Sequence, residues 1–402
     1  MIILLALEFR AAGAVFNLGD YCALSTAGFN RKVKNWFRAE NAEHNFGFAP
    51  RAVAREVTAM QRSRRISLII GVSTVSLLLV YFACGEEEPM MKAVVAHEYG
   101  APEVLKFEEI PRPEPNEDEV LVRVIASSVN PADPLTLSGK YAREFGTHLP
   151  LIPGYDIAGV IEKTGTNVTK LKVGDGVYGY PTFGGGWADY VTVKEWEVAA
   201  KPKSLKFVEA AAVPMGALTA WQALVDVAKL QPGQTVLIHG GSGGVGSFAI
   251  QIAKARGARV IATASTANQD LLKQLGADVA VDYTKTKFED VAKDVDVVLD
   301  PVGKETLARS YDVVKKDGIV MSLVARPDPA ELEKRGIRGT GISAHADADD
   351  LAEIAQLIDA GKIKPMVTQV LPLSEAITAQ QQAATHHTRG KVVLRIADEP
   401  KG

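Results

Sequence analysis

Past residue 84 the chain has no cysteine, since the two it contains are Cys22 and Cys84. The remainder therefore holds no disulfide framework, no cysteine-rich zinc lobe and no thiol nucleophile. A basic surplus is missing too: 45 Lys and Arg stand against 48 Asp and Glu, a net charge of -3, and the cations are scattered through the body. Such a balance offers no field for nucleic acid, which is not expected as a partner. Long apolar runs are scarce, the one extended uncharged stretch being residues 66–83. What is present is a globular composition, 402 residues at 47% hydrophobic and 23% charged, enough for two ordinary domains.

The stretch 66–83 follows Arg62, Arg64 and Arg65 and precedes Cys84, Gly85 and the glutamates Glu86, Glu87 and Glu88. Its length sits near the lower limit of a bilayer-spanning helix and within reach of a long signal-peptide core. Read from Met60, it resembles a bacterial lipoprotein signal with Ala83-Cys84-Gly85 at the processing point, although Tyr81 replaces the usual aliphatic residue. That orientation would export everything beyond Cys84. Residues 1–59 show no sustained period, and a fresh strand-like run opens at Met91. Residues 1–90 are therefore read as an extension foreign to the fold that follows, with a membrane anchor through 66–84 as the alternative.

The densest signal in the body is His239-Gly240-Gly241-Ser242-Gly243-Gly244-Val245-Gly246, placed between the apolar run 235–238 and the helical-looking 245–254. Gly241, Gly243 and Gly246 have the G-x-G-x-x-G spacing. Glycines let the backbone turn tightly and approach a pyrophosphate, while free N–H groups at the helix start point at its charge. With 35 glycines in the chain the cluster alone is a weak signal. Context strengthens it, because a second β-rich run, 258–263, follows at the interval a βαβ unit requires.

Residues 91–214 read as short strands broken by Pro and Gly, among them 120–126 and 155–162, with a tight turn at 172–179. From 215 to 344 helices alternate with the apolar strands 236–239, 260–263, 279–282, 295–300 and 319–324, which predicts a doubly wound parallel sheet. Asp347, Asp349 and Asp350 ahead of the pattern 351–360, closed by Gly361, mark a helix start rather than a metal site, and neighbouring His345 does not change that. The segment 390–396 reads as a strand that rejoins the first domain, and His386-His387 before it as a solvated helix end. The expected class is α/β, a β-rich domain followed by a doubly wound parallel sheet and a return to the first domain, divided as 1–90, 91–214, 215–344 and 345–402.

Several ordered motifs carry a family resemblance. They are Asn130-Pro131-Ala132-Asp133, Pro153-Gly154-Tyr155-Asp156, Val173-Gly174-Asp175-Gly176-Val177, Leu218-Thr219-Ala220-Trp221, the glycine turn, Leu275-Gly276-Ala277-Asp278 and Arg389-Gly390-Lys391. With them residues 91–397 resemble the medium-chain dehydrogenase/reductase superfamily, in its zinc-independent quinone oxidoreductase and enoyl reductase-like branch. The resemblance implies a GroES-like barrel built from both ends of the body, a Rossmann domain between them, substrate in the cleft and a homodimer. Where zinc-dependent relatives carry a cysteine ligand this chain has Asn130, and Tyr155 replaces their histidine.

Without a metal to polarise a carbonyl, hydride transfer is easiest to an acceptor that spreads the charge by conjugation, a quinone or an α,β-unsaturated carbonyl. The expected activity is NADPH-dependent reduction of such a small molecule in the cytoplasm. Two other readings stand beside it: a non-catalytic NADPH-binding structural or regulatory protein, and a membrane-tethered lipoprotein carrying a reductase fold. Asn130 is a candidate for hydrogen bonding to ribose or substrate, or else a turn residue before Pro131. Tyr141 matches a cleft tyrosine that would donate to the developing oxyanion, or else forms cleft wall. Thr219 matches a position near the nicotinamide and would look the same as a helix cap. Gly241, Gly243, Gly244, Val245 and Gly246 are the pyrophosphate candidates, and Leu323 and Val324 match positions beside the nicotinamide or are ordinary core. After the second Rossmann strand Ser265 stands in a hydroxyl-rich turn with no Asp or Glu for ribose, which leaves room for a 2′-phosphate; the nearest lysine is Lys273, further down the helix.

Overall fold

The computed structural model describes residues 88–140, 148–384 and 389–400. Residues 66–84, Tyr141 and His386-His387 lie outside the described residues. Among the described residues no helix is long and apolar enough to cross a membrane.

Short alternating runs build the first half. Met90–Ala96 (β1) pairs antiparallel with Leu105–Pro111 (β2), and Glu119–Ser128 (β3) becomes the centre of a second sheet. In β3 only Glu119 and Arg123 escape full burial, because the strand is covered on both faces. Asp156–Thr164 (β4) and Tyr190–Lys194 (β6) both pair antiparallel with β3, while Gly176–Gly179 (β5) joins β4 to Val198–Ala200 (β7). Gly174, at φ 91°, makes the turn into β5 that a side chain would strain.

Apolar runs without alternation build the second half. Thr235–Ile238 (β8), Arg259–Ala264 (β9), Val279–Asp282 (β10), Val295–Asp300 (β11), Val314–Ser322 (β12) and Arg338–Gly341 (β13) form a six-stranded sheet in the order β10-β9-β8-β11-β12-β13. Every pairing in it is parallel. The crossing between β9 and β11 on either side of β8 is the switch in strand order where nucleotides bind in open parallel sheets. The apolar run 319–324 predicts the last strand; instead β12 stops at Ser322 and a further edge strand, β13, follows. Paired on one side only, Arg-Gly-Thr-Gly needs no apolar run, which is why it left no signal.

The chain then returns. Ala348–Asp359 is a helix whose N-cap Asp347 accepts from the N–H groups of Asp349 and Asp350, the helix start expected of these acids. Val367–Pro372 (β14) pairs with Lys391–Arg395 (β15), and β15 inserts beside β3. One continuous core runs from Ile125 and Ala158 through Ala217 and Phe248 to Val393, so the two halves share their packing.

Candidate active site

Strand β8 delivers His239 into the interior, where its imidazole sits 3.2 Å from Thr263 Oγ1 and 2.9 Å from Ser310 Oγ, edge-on to Phe288. Burial, with a smaller push from the Arg309 charge, lowers this histidine to about 3, so it anchors the strand end as a neutral ring. Gly240 then turns the chain at φ 59°, and the Gly243 N–H closes the turn on the Gly240 carbonyl at 3.0 Å. A β-carbon on Gly241 would lie 2.7 Å from Leu272 Cδ2, and one on Gly216 2.8 Å from the Gly244 carbonyl. Around Gly243 the space is open, its nearest such contact being 3.4 Å. These glycines make room for the chain itself, and Gly243 leaves one side clear ahead of the helix Gly246–Ala255. Val245 is the residue preceding that helix and packs partly into the core. Backbone N–H groups at a helix start beside an open glycine fit a dinucleotide pyrophosphate.

A buried polar cluster stands against this turn. The Asp133 carboxylate accepts the N–H of Asn130 at 2.6 Å and of Gly154 at 2.9 Å, joining the loop after β3 to the turn before β4. Burial pushes the Asp133 carboxyl up to about 7 against those two donors. The Asn130 side chain donates from Nδ2 to Asp156 Oδ2 at 2.8 Å and accepts on Oδ1 from the Lys391 ammonium. Asp156, fully buried, also accepts from Lys391 Nζ at 3.0 Å, Ser128 Oγ at 2.5 Å and the Met215 N–H at 2.7 Å. An amide with its oxygen on an ammonium and one proton on a carboxylate has a single remaining donor, the second Nδ2 proton. Asn130 is thus more than a turn residue. Nearby, Tyr155 Oη shares a hydrogen bond with Thr136 Oγ1. The two positions where zinc-dependent relatives hold ligands are both engaged in hydrogen bonding, and among the described residues no three His, Cys, Asp or Glu side chains are grouped to hold a metal.

Thr219 lies within the helix Pro214–Trp221, so it is not a cap. Its hydroxyl donates back to the Met215 carbonyl at 2.6 Å, which leaves the oxygen only as an acceptor. Leu323 packs partly into the main core; Val324 is 59% exposed and is not core. Ser265 precedes the short turn Thr266–Asn268 and accepts from Asn268 Nδ2 at 3.2 Å. Two groups at this turn escaped sequence reading. Asp282, at the end of β10, accepts from Thr266 Oγ1 at 2.6 Å, and the hydroxyls of Thr266 and Thr284 hold its carboxyl near 2. Arg389 reaches the same turn from the C-terminal segment, whereas Lys273 stays 67% exposed beside Asp270. Asp156 and Lys391 were also missed as site residues, although both stood in recognised motifs.

The family model for the alcohol dehydrogenase GroES-like domain matches residues 116–203, and that for zinc-binding dehydrogenase matches residues 275–394. The chain is similar to 2-methylene-furan-3-one reductase of Solanum lycopersicum, 38% identical over 76% of this chain and 79% of the relative. It is also similar to the chloroplastic NADPH-dependent alkenal/one oxidoreductase of Arabidopsis thaliana, again 38% identical over 76% of this chain and 79% of that protein. Among solved structures, the quinone oxidoreductase from Coxiella burnetii superposes with a TM-score of 0.71 at 34% identity, covering 77% of this chain and all of the other.

Proposed function

The chain belongs to the medium-chain dehydrogenase/reductase superfamily, in its quinone oxidoreductase-like branch, and is an oxidoreductase that uses a nicotinamide cofactor; from that premise we propose that it takes NADPH and reduces a quinone or an α,β-unsaturated carbonyl without zinc. The observation that carries this reading is the Asn130–Asp156–Lys391 cluster beside the glycine turn. A reduced nicotinamide, when bound, supplies the hydride. The protein's own part is placement and charge. Gly243 keeps the near side open, the N–H groups from Gly244 to Gly246 face the pyrophosphate, the Thr219 oxygen accepts near the ring, and exposed Val324 covers one flank. The free Nδ2 proton of Asn130 and the Tyr141 hydroxyl donate to the oxyanion that forms on the acceptor, and Tyr141 or water completes the protonation.

The preference for NADPH rests on the turn after β9, which has no acid of its own and has Arg389 against it. The relatives named for alkenal and furanone reduction support an enone acceptor. We assign 91–214 and 345–402 to the substrate domain, 215–344 to the cofactor domain and the working protein to the cytoplasm as a homodimer, with β13 as one of the two edges of the parallel sheet.

Cofactor oxidation by the purified protein, with a panel of quinones and enones and with elemental analysis, tests the whole reading. Turnover that survives chelators and tracks no zinc is the expected result. NADPH binding without turnover of any acceptor would favour the structural or regulatory alternative, and one zinc per chain lost together with activity would refute zinc independence.

A further inference from the structure

Lys391 touches the glycine turn, Asn130 and Asp156 together. Its backbone is tightly placed: Gly390 donates to the Ser242 carbonyl at 3.0 Å and Lys391 to the Met366 carbonyl at 2.9 Å. Gly390 holds φ 66°, and a β-carbon there would lie 2.3 Å from the Met366 oxygen. From this point the lysine stem passes beside the turn, its Cδ 3.2 Å from where a Gly244 β-carbon would stand. The ammonium ends buried on Asn130 Oδ1 and Asp156 Oδ2. A buried ion pair is weak evidence for stability, because a well-packed apolar pair of similar volume often does as well. What an apolar pair cannot do is satisfy the Asn130 oxygen and so hold the amide plane.

We propose that Lys391 is a positioning residue that makes the glycine turn and the Asn130 amide one unit, fixing the direction of the Asn130 N–H relative to whatever is seated on the turn. The proposal rests on the reductase reading given above. It assigns Lys391 no contact with substrate; the residue acts through Asn130.

The test uses the full-length protein as wild type, Lys391→Met, Asn130→Ala and the double variant. Lys391→Met should lower kcat/KM about a hundredfold, mostly in kcat, as misplacing a donor by about 1 Å does. The double variant should be no worse than the poorer single one within about twofold, since both remove the same donor. A second readout needs no cofactor: with asparagine 15N-labelled, the side-chain signals of Asn130, identified by their loss in Asn130→Ala, should exchange with solvent at least tenfold faster in Lys391→Met. Multiplying losses, or a lower Tm with kcat/KM and exchange unchanged, would overturn the proposal. If Lys391→Met fails to fold because Asp156 is left unpaired, Asp156→Asn/Lys391→Met removes both charges and is read in the same way. Wild-type fluorescence titration with NADPH separates the two failures, because its absence sinks the reductase reading and its presence with additive variants sinks only the role of Lys391.

Discussion

Arg389 donates from Nη2 to the carbonyl of Ala267 at 2.8 Å, bringing a guanidinium from the end of the chain onto the turn that follows β9. Charge-assisted bonds from arginine to phosphate are strong, and on this turn they act only on a cofactor with a 2′-phosphate. Arg389→Gln should weaken NADPH binding about tenfold and leave NADH binding unchanged, measured by fluorescence titration. Equal losses for both cofactors would make Arg389 a brace for the turn. Asp282 faces the same turn and opposes a phosphate, so the wild-type preference is expected to be modest.

Two alanine substitutions in the glycine turn should part company. A β-carbon on Gly246 would stand 2.2 Å from the Gly240 carbonyl oxygen, a backbone atom that cannot move aside, so Gly246→Ala should cost about 1–3 kcal/mol in denaturant titration. The contact at Gly243 is an ordinary 3.4 Å, so Gly243→Ala should keep the wild-type Tm and lose cofactor affinity by obstructing the open side. Equal melting temperatures for the two variants would contradict this account.

Tyr141→Phe should lower turnover more than it weakens NADPH binding, because a hydroxyl aimed at the forming oxyanion acts chiefly in the transition state. Removing one such donor costs on the order of 3 kcal/mol, about a hundredfold in rate. An enone concentrates the charge more than a quinone, so it should suffer the larger loss. Unchanged rates with both acceptor classes would leave protonation to water.

His239 couples stability to pH. Folding lowers it from 6.5 to about 3, so between those values the unfolded chain binds a proton that the folded one refuses. Its contribution is complete above about 6.5 and is lost as pH falls toward 3. Relative to His239→Phe, the wild type should lose stability steadily over that window in urea titrations. Parallel pH profiles for the two proteins would show that the ring is not held neutral.

Strands β8, β9, β11 and the buried end of β12 were legible because a parallel strand covered on both faces must be rich in apolar residues. The glycine turn was legible for a similar reason, since its chemistry is local. Gly240 escaped because the family spacing starts one residue later, while the positive φ falls on the first glycine of the pair. Asp156 and Lys391 lie 235 residues apart, and Arg389 and Ala267 are 122 apart. No periodicity links such pairs; tertiary folding alone brings them together. The acids at 347–350 show the opposite case, a short-range capping pattern that sequence resolves unaided.

Strand β15 lies inside its sheet, between β14 and β3, although in sequence it follows every strand of the parallel sheet. During synthesis β3 therefore waits for a neighbour whose sequence begins at Lys391, with the parallel sheet already complete in the interval. The β-rich half must hold an unpaired strand edge until Lys391–Arg395 has been made, which exposes it to mispairing. A premature stop just before residue 391 would remove a central ladder partner, not a tail, and should yield chains that cannot close the sheet and are drawn into aggregation.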